Sequence, residues 1–308
     1  MRQIRSMQQL LMTPARFLAA AAILLLLIRQ LPAADDIVVE TDLVYGRGGE
    51  VELKLDLARP KTGEGPFPAL VFIHGGGWSQ GSRNSFRPLA EEAAKRGYVA
   101  VTISYRLTEP DPETHLGKVP FPAQIHDCKC AVRWLRSVAE KYHVDRDHIG
   151  VSGGSAGGHL SLLIGLTDQS AGLEGDGGHP EHSSRVQAVV NIFGPTDLAK
   201  AYHDATPAQL YFQELCHGTP EMVPDTFNKA SPISYVSKDD PPVLTLHGEK
   251  DTLILVSQAK LLDETMKEVG VHHELLILPE QGHGFTGEAA KQANDALWAF
   301  FDKQLKAK

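Results

Sequence analysis

"HIGVSGGSAGGHLSLLIGL", residues 148–166, begins as an apolar strand pattern and continues without a loop as a helix. A strand that turns directly into a helix crowds the backbone at the bend, so the residues there must be small. The two residues on each side of Ser155 are all glycine or alanine. This GxSxG pattern predicts a serine presented at a helix N-terminus, where the amide of Ala156 would favour a developing oxyanion. A flexible glycine–serine turn with an incidental hydroxyl is the competing interpretation.

Short apolar, β-branched runs alternate with helical patterns along the rest of the chain. The runs are "IVVETDLVY" (37–45), "VELKLDLA" (51–58), "ALVFIH" (69–74), "YVAVTISY" (98–105), "HIGVSG" (148–153), "QAVVNIFG" (187–194), "PVLTLHG" (242–248) and "HELLILP" (273–279). Such runs are typical of parallel strands buried on both faces. Their alternation with helices predicts an α/β fold, a mostly parallel sheet with helices on both faces. The first two runs flank the glycine-rich "GRGGE" and predict an antiparallel pair.

One connection is longer than a simple crossover needs. Residues 197–241 separate two predicted strands, and an insertion of that length commonly covers or shapes a site. We therefore interpret 197–241 as a cap or insertion near the site, with one helix at "TPAQLYFQELCHG", residues 206–218. A surface elaboration that does not touch the site is the alternative.

The first 34 residues are predicted to be a signal peptide. Residues 1–34 contain four arginines and no acidic residue, and a twelve-residue apolar run spans Phe17 to Ile28. As a helix this run would reach about 18 Å, against roughly 30 Å of bilayer hydrocarbon. We expect cleavage near Ala33 or Ala34, export of residues 35–308 as one enzyme-sized domain, and no stable membrane insertion afterwards. An uncleaved, tilted anchor is the alternative.

Charge and cysteine content exclude several classes of partner and cofactor. Without the four N-terminal arginines, 26 basic residues would face 38 acidic ones, and such a domain would be repelled by nucleic acid. The three cysteines form neither a CxxC nor a zinc spacing. Cys128 shares an apolar helical stripe, which favours packing over reactivity, and Cys216 could be free or paired. We expect no metal and no organic cofactor.

A second glycine-rich segment follows an earlier strand. "HGGGW", residues 74–78, exposes consecutive backbone amides without side chains in the way. Acyl transfer needs at least two such donors aimed at one oxygen, each worth roughly 3 kcal/mol of transition-state stabilisation. Gly75 and Gly76 are therefore predicted to complete an oxyanion hole with Ala156. A tight turn before the next helix is the alternative.

A serine nucleophile requires a general base, and the base requires an orienting acid. His283, in the glycine-flexed "LPEQGHGFTG" after the last strand, is the predicted base, and His247 at a strand end is its competitor. Asp251, in "HGEKDTLI" after the penultimate strand, is the predicted acid, with Asp197 as the alternative. The resulting chain order of serine, acid and histidine differs from that of chymotrypsin-type and subtilisin-type enzymes.

Together, HGGGW, GGSAGGHL, HGEKD and the terminal GHGF resemble the α/β-hydrolase superfamily, in the branch of hormone-sensitive-lipase-like carboxylesterases and bifunctional feruloyl and acetyl xylan esterases. The resemblance covers about residues 40–305 and implies an eight-stranded α/β-hydrolase fold with Ser155, Asp251 and His283 as a triad. Lipase-like members typically carry an acidic residue where this chain has Gly154, which favours the sugar-ester and small-acyl branch. The Val-Pro that often follows the acid is Leu253-Ile254 here.

The predicted reaction is hydrolysis of a small-molecule or polysaccharide ester by two-step acyl transfer. An exported, acidic domain with a modest insertion favours a soluble ester, such as acetylated or feruloylated plant polysaccharide, over a fat droplet. An arylformamidase-like amidase could use the same groups, because pocket walls set the leaving group. A catalytically inactive binding module is a further alternative, although such proteins commonly lose one of the groups that this chain retains.

Overall fold

The structure is a computed structural model that describes residues 36–306. The predicted signal peptide, residues 1–34, lies outside the described residues. Eight strands form one sheet. The strands are β1 (Ile37–Gly48), β2 (Val51–Pro60), β3 (Phe67–Ile73), β4 (Val99–Ile103), β5 (Val144–Gly154), β6 (Ala188–Ile192), β7 (Val243–Gly248) and β8 (His273–Leu278).

The strand order is β1-β2-β4-β3-β5-β6-β7-β8. β2 is antiparallel to both of its neighbours, and β3 to β8 pair in parallel with one another. The predicted antiparallel start and the predicted parallel sheet are both confirmed. The helices are α1 (Arg87–Lys95), α2 (Ala123–Ser137), α3 (Ala139–Tyr142), α4 (Ala156–Leu166), α5 (Leu198–Asp204), α6 (Gln209–Cys216), α7 (Pro224–Ala230), α8 (Ser257–Val269) and α9 (Gly287–Leu305).

Both faces of the sheet are buried, and β3 illustrates how. Val71 and Ile73 point into one apolar cluster, which also contains α2 and α4 residues. Leu70 and Phe72 point into the other, against α1 and α9. All four side chains are fully buried. Because successive side chains of a strand point to opposite faces, a strand covered on both sides must be apolar throughout, which explains the continuous runs.

The insertion is more helical than the sequence indicated. Within 197–241 the described chain forms α5, α6 and α7, where we predicted one helix over 206–218. Each of these helices is only seven or eight residues long, too short to produce a clear apolar periodicity. The starts of α5 and α7 are set locally instead: the carboxylate of Asp197 accepts the N–H of Lys200, and Pro224 occupies the first position of α7.

The three cysteine thiols are free and buried, in agreement with the packing role predicted for Cys128. No helix within residues 36–306 has the length and apolar content needed to cross a membrane.

Candidate active site

Ser155 lies at the junction of β5 and α4 with φ +55° and ψ −119°, in the region that disfavours residues with a side chain. The glycines around it permit the bend. A Cβ placed at Gly157 would lie 2.1 Å from the carbonyl oxygen of Ile73, and one at Gly153 would lie 2.5 Å from that of Gly157. Since backbone atoms cannot move aside cheaply, the small residues expected from the sequence are a steric requirement of this turn.

The structure brings His283 into contact with both Ser155 and Asp251. Because a carboxylate only accepts hydrogen bonds, Nδ1–H of His283 donates to Oδ2 of Asp251, at 2.7 Å. Nε2 is then left unprotonated to accept the hydroxyl proton of Ser155, at 2.8 Å. The three residues follow β5, β7 and β8, so they meet at the carboxyl edge of the parallel strands.

The carboxylate of Asp251 is fully buried and fixed by its own turn. Its Oδ1 accepts the backbone N–H groups of Leu253, at 2.9 Å, and Ile254, at 3.0 Å. These bonds leave Oδ2 facing His283. The orientation of this carboxylate is therefore set by the local backbone, since Leu253 and Ile254 supply both N–H donors.

Neither competing residue joins Ser155 to a carboxylate, although Nε2 of His247 lies 3.5 Å from Oδ2 of Asp251. His247 is buried, and its Nε2–H donates to the carbonyl oxygen of Ile254 at 2.8 Å, so it braces the turn that carries Asp251. Asp197 caps α5 through the N–H of Lys200. His283, rather than His247, contacts Ser155, and Asp251, rather than Asp197, contacts His283.

The HGGGW segment passes directly against the serine turn. A Cβ at Gly75 would lie 2.7 Å from the carbonyl oxygen of Gly154 and 3.3 Å from Cβ of Ser155. Gly76 has φ +108°, which only glycine adopts readily. Among the hydrogen bonds of residues 36–306, the N–H groups of Gly75, Gly76 and Ala156 have no acceptor. Gly75 and Gly76 also line the cavity that contains the Ser155 hydroxyl.

Two buried histidines hold this segment in place. Nδ1–H of His74 donates to the carbonyl oxygen of Gly75 at 2.7 Å, and its ring stacks on Tyr105 with centroids 4.3 Å apart. The indole N–H of Trp78 donates to Nδ1 of His159 at 3.2 Å, and Nε2–H of His159 donates to the carbonyl oxygen of Ala230 at 2.7 Å. His159 thus connects the HGGGW segment to α4 and to the insertion, a role that the sequence analysis missed.

Burial lowers the pKa of His159 to about 4 from an ordinary value of 6.5. Between these pH values the unfolded chain binds a proton that the folded chain does not, so the folded state gains stability as pH rises. The stabilisation is complete above pH 6.5 and lost as pH falls to about 4, amounting to about 3 kcal/mol.

We expect His159→Gln to be less stable at pH 7 but to lose about 3 kcal/mol less over this window, measured by urea unfolding. Equal pH dependence in both proteins would contradict this role for His159.

A cavity of about 390 Å³ opens above Ser155 and His283. Its walls are mainly apolar and come from the HGGGW segment, the ends of β6 and β7, and the insertion. They include Trp78, Phe193, Tyr211, Phe212, Leu253 and Ile254. Tyr211 and Phe212 of this lining belong to α6, within residues 197–241. The described part of the chain contains no group of three or more metal-ligating side chains placed to hold an ion.

A sheet of this order, with a serine on a strand-to-helix turn and its partners on the loops after β7 and β8, defines an α/β-hydrolase. More narrowly, the chain belongs to the BD-FAE family, which matches residues 55–266. The resemblance to α/β-hydrolase esterases inferred from the sequence is therefore confirmed.

Similar proteins include esterase LipC of Mycobacterium tuberculosis, which is 36% identical over 71% of this chain and 53% of its own length. Among solved structures, a carbohydrate esterase from gut microbiota is 29% identical with a TM-score of 0.73, covering 90% of this chain and 100% of that one. Est2 of Thermogutta terrifontis with propionate bound is 27% identical with a TM-score of 0.72, covering 91% and 100%. The chain spans about half the length of the first two curated relatives, LipC and LipM.

Proposed function

We propose that the protein is a serine carboxylic ester hydrolase. The observation that carries this proposal is the hydrogen-bonded series from Asp251 through His283 to Ser155, at 2.7 and 2.8 Å, beside three backbone N–H groups without acceptors. A nucleophile, an oriented base and preorganised donors are together what acyl transfer requires.

The proposed reaction has two steps. Oγ of Ser155 attacks the ester carbonyl carbon while Nε2 of His283 takes the hydroxyl proton, and the oxyanion is bound by the N–H groups of Gly75, Gly76 and Ala156. Collapse of this intermediate breaks the bond to the alcohol oxygen, which receives the proton from His283, and leaves an acyl ester on Ser155. Water, deprotonated by His283, then attacks the acyl carbon and releases the carboxylic acid and the Ser155 hydroxyl. Throughout, Asp251 keeps the proton on Nδ1 and stabilises the imidazolium.

A fluorophosphonate probe tests the reactive centre independently of substrate choice. We expect one adduct per chain, at Ser155 in the peptide analysed by mass spectrometry, because within residues 36–306 this is the hydroxyl that contacts His283. Ser155→Ala is the matched blank. A native protein that remains unlabelled would instead support the inactive binding module.

For the substrate, we propose a small-acyl or carbohydrate ester of the acetyl xylan or feruloyl type. The name of the gut-microbiota carbohydrate esterase and the propionate bound to the Thermogutta esterase support this choice. So does a cavity of about 390 Å³, which suits a compact group better than a long fatty chain.

Acetate release from acetylated xylan and ferulate release from feruloylated arabinoxylan should be compared with hydrolysis of tributyrin and of a long-chain triglyceride. We expect polysaccharide deacylation and no long-chain triglyceride cleavage. Strong tributyrin cleavage without activity on either polysaccharide would overturn the carbohydrate assignment while leaving the ester hydrolase intact.

We further propose that residues 1–34 direct export of the domain. The basic start and the apolar run from Phe17 to Ile28 support this. N-terminal sequencing of the protein recovered from an expressing bacterium should give a start close to residue 34. A cytoplasmic protein that keeps its arginine-rich start would refute the proposal.

A further inference from the structure

A second cavity, of about 250 Å³, lies next to the active-site cavity. It is open to solvent on one side and is lined by α1, the end of β6, β7, the loop after β8 and α9. Its lining includes Leu89, Leu246, Phe285, Ala290, Ala293 and Leu297. Asn294 adds one polar side chain to an otherwise apolar set. With a single polar side chain and no charged one, such a lining is better suited to an alkyl chain than to a sugar or a charged group.

Phe193 separates the two cavities. Within residues 36–306 it is the side chain that lines both of them. Its ring centroid lies 4.6 Å from that of His283 on one side and 5.2 Å from that of Phe285 on the other. Removal of the ring would therefore join the space above Ser155 to the space behind it.

The position of Phe193 is fixed by its backbone as well as by its ring contacts. Its N–H donates to the carbonyl oxygen of Leu246 at 2.8 Å, and its φ is +43°, which is uncommon for a residue with a side chain. Residues held in this region commonly occur at functional sites, where the surrounding structure maintains them. The strain and the shared lining are independent observations on the same residue.

We propose that Phe193 is a specificity-determining residue that limits the length of the apolar chain of the substrate, and that the second cavity is the subsite which it closes. The inference rests on the proposed ester hydrolase activity. The part of the substrate whose length Phe193 limits is an unbranched alkyl group, on either the acyl or the alcohol side of the ester. Each methylene that enters the second cavity would raise kcat/KM by about fourfold, the value of burying one CH₂.

The test compares the native protein with Phe193→Ala, Ala293→Leu and the double variant. Ala293 is buried, and it lines the second cavity but not the active-site cavity. A leucine at position 293 would therefore fill the second cavity without contacting Ser155 or His283. One substrate series varies the acyl chain, from p-nitrophenyl acetate to p-nitrophenyl octanoate. The other varies the alcohol, from ethyl acetate to octyl acetate. The readout is kcat/KM for the eight-carbon ester divided by kcat/KM for the shortest ester. Loss of the packing of Phe193 on His283 would lower both values alike, so its effect cancels in this ratio.

In Phe193→Ala we expect this ratio to rise at least about tenfold in one series, which identifies the side of the ester that faces Phe193. The double variant should return the ratio to within about threefold of the native value, and Ala293→Leu alone should leave it unchanged. Phe193→Leu, which keeps an apolar contact with Phe285, should give a smaller rise and serves if the alanine variant does not fold.

An unchanged ratio in both series would overturn the inference, as would a rise that Ala293→Leu does not reverse. Failure of the proposed function gives a different result: the native protein would then hydrolyse none of the esters at a rate above that of Ser155→Ala.

Discussion

Ser155→Ala is expected to lower kcat for p-nitrophenyl acetate by at least about a thousandfold. Without Oγ no acyl-enzyme can form, and Nε2 of His283 has no hydroxyl to deprotonate. The donors of Gly75, Gly76 and Ala156 remain, so a residual rate above that of water is expected from direct attack by solvent. Stopped-flow and steady-state assays of the two proteins at equal concentration measure the difference.

Ser152→Ala is the matched control for this substitution. Ser152 lies on the same strand, is fully buried, and its hydroxyl has no hydrogen-bond partner among the described residues. We expect the control to keep native kcat and to fold normally, because it removes an unpaired polar atom. Near-native turnover by a folded Ser155→Ala protein would reject the nucleophile.

The convergence of Ser155, Asp251 and His283 was predictable because each of them follows a strand. The carboxyl ends of parallel strands meet at one edge of the sheet, so residues that follow β5, β7 and β8 converge there even though Ser155 and His283 are 128 residues apart. Glycine around Ser155 is a local signal of the same geometry, because the contact of Gly157 with Ile73 excludes larger residues. Strand periodicity and turn composition were sufficient for this part of the fold.

The supporting contacts were not predictable in the same way. Trp78 and His159 are 81 residues apart, and His159 and Ala230 are 71 apart, in elements whose helical patterns are short or apolar on all sides. Phe193 directly follows β6, and its apolar neighbours in sequence predict an ordinary core aromatic, whereas its position between the two cavities depends on a backbone conformation with φ +43°. Such features depend on how distant elements pack, which leaves no periodic signal in the sequence.

Asp251→Asn is expected to lower kcat by about 10⁴-fold while leaving the fold intact. Because the N–H groups of Leu253 and Ile254 both donate to Oδ1, the amide oxygen of asparagine should keep that position. Its NH₂ group would then face His283 and donate to Nδ1. The imidazole proton would move to Nε2, and a protonated Nε2 cannot accept the proton of Ser155. The loss should appear in kcat more than in KM, since substrate contacts are unchanged.

Asp197→Asn distinguishes this effect from a general loss of negative charge. The side chain of Asp197 caps α5, and asparagine serves equally well as a cap, so we expect stability close to native and kcat within about twofold. If both variants lost activity equally, or if only Asp197→Asn did, Asp251 would not be the acid. Loss confined to Asp251→Asn would instead assign the acid to the carboxylate that contacts His283.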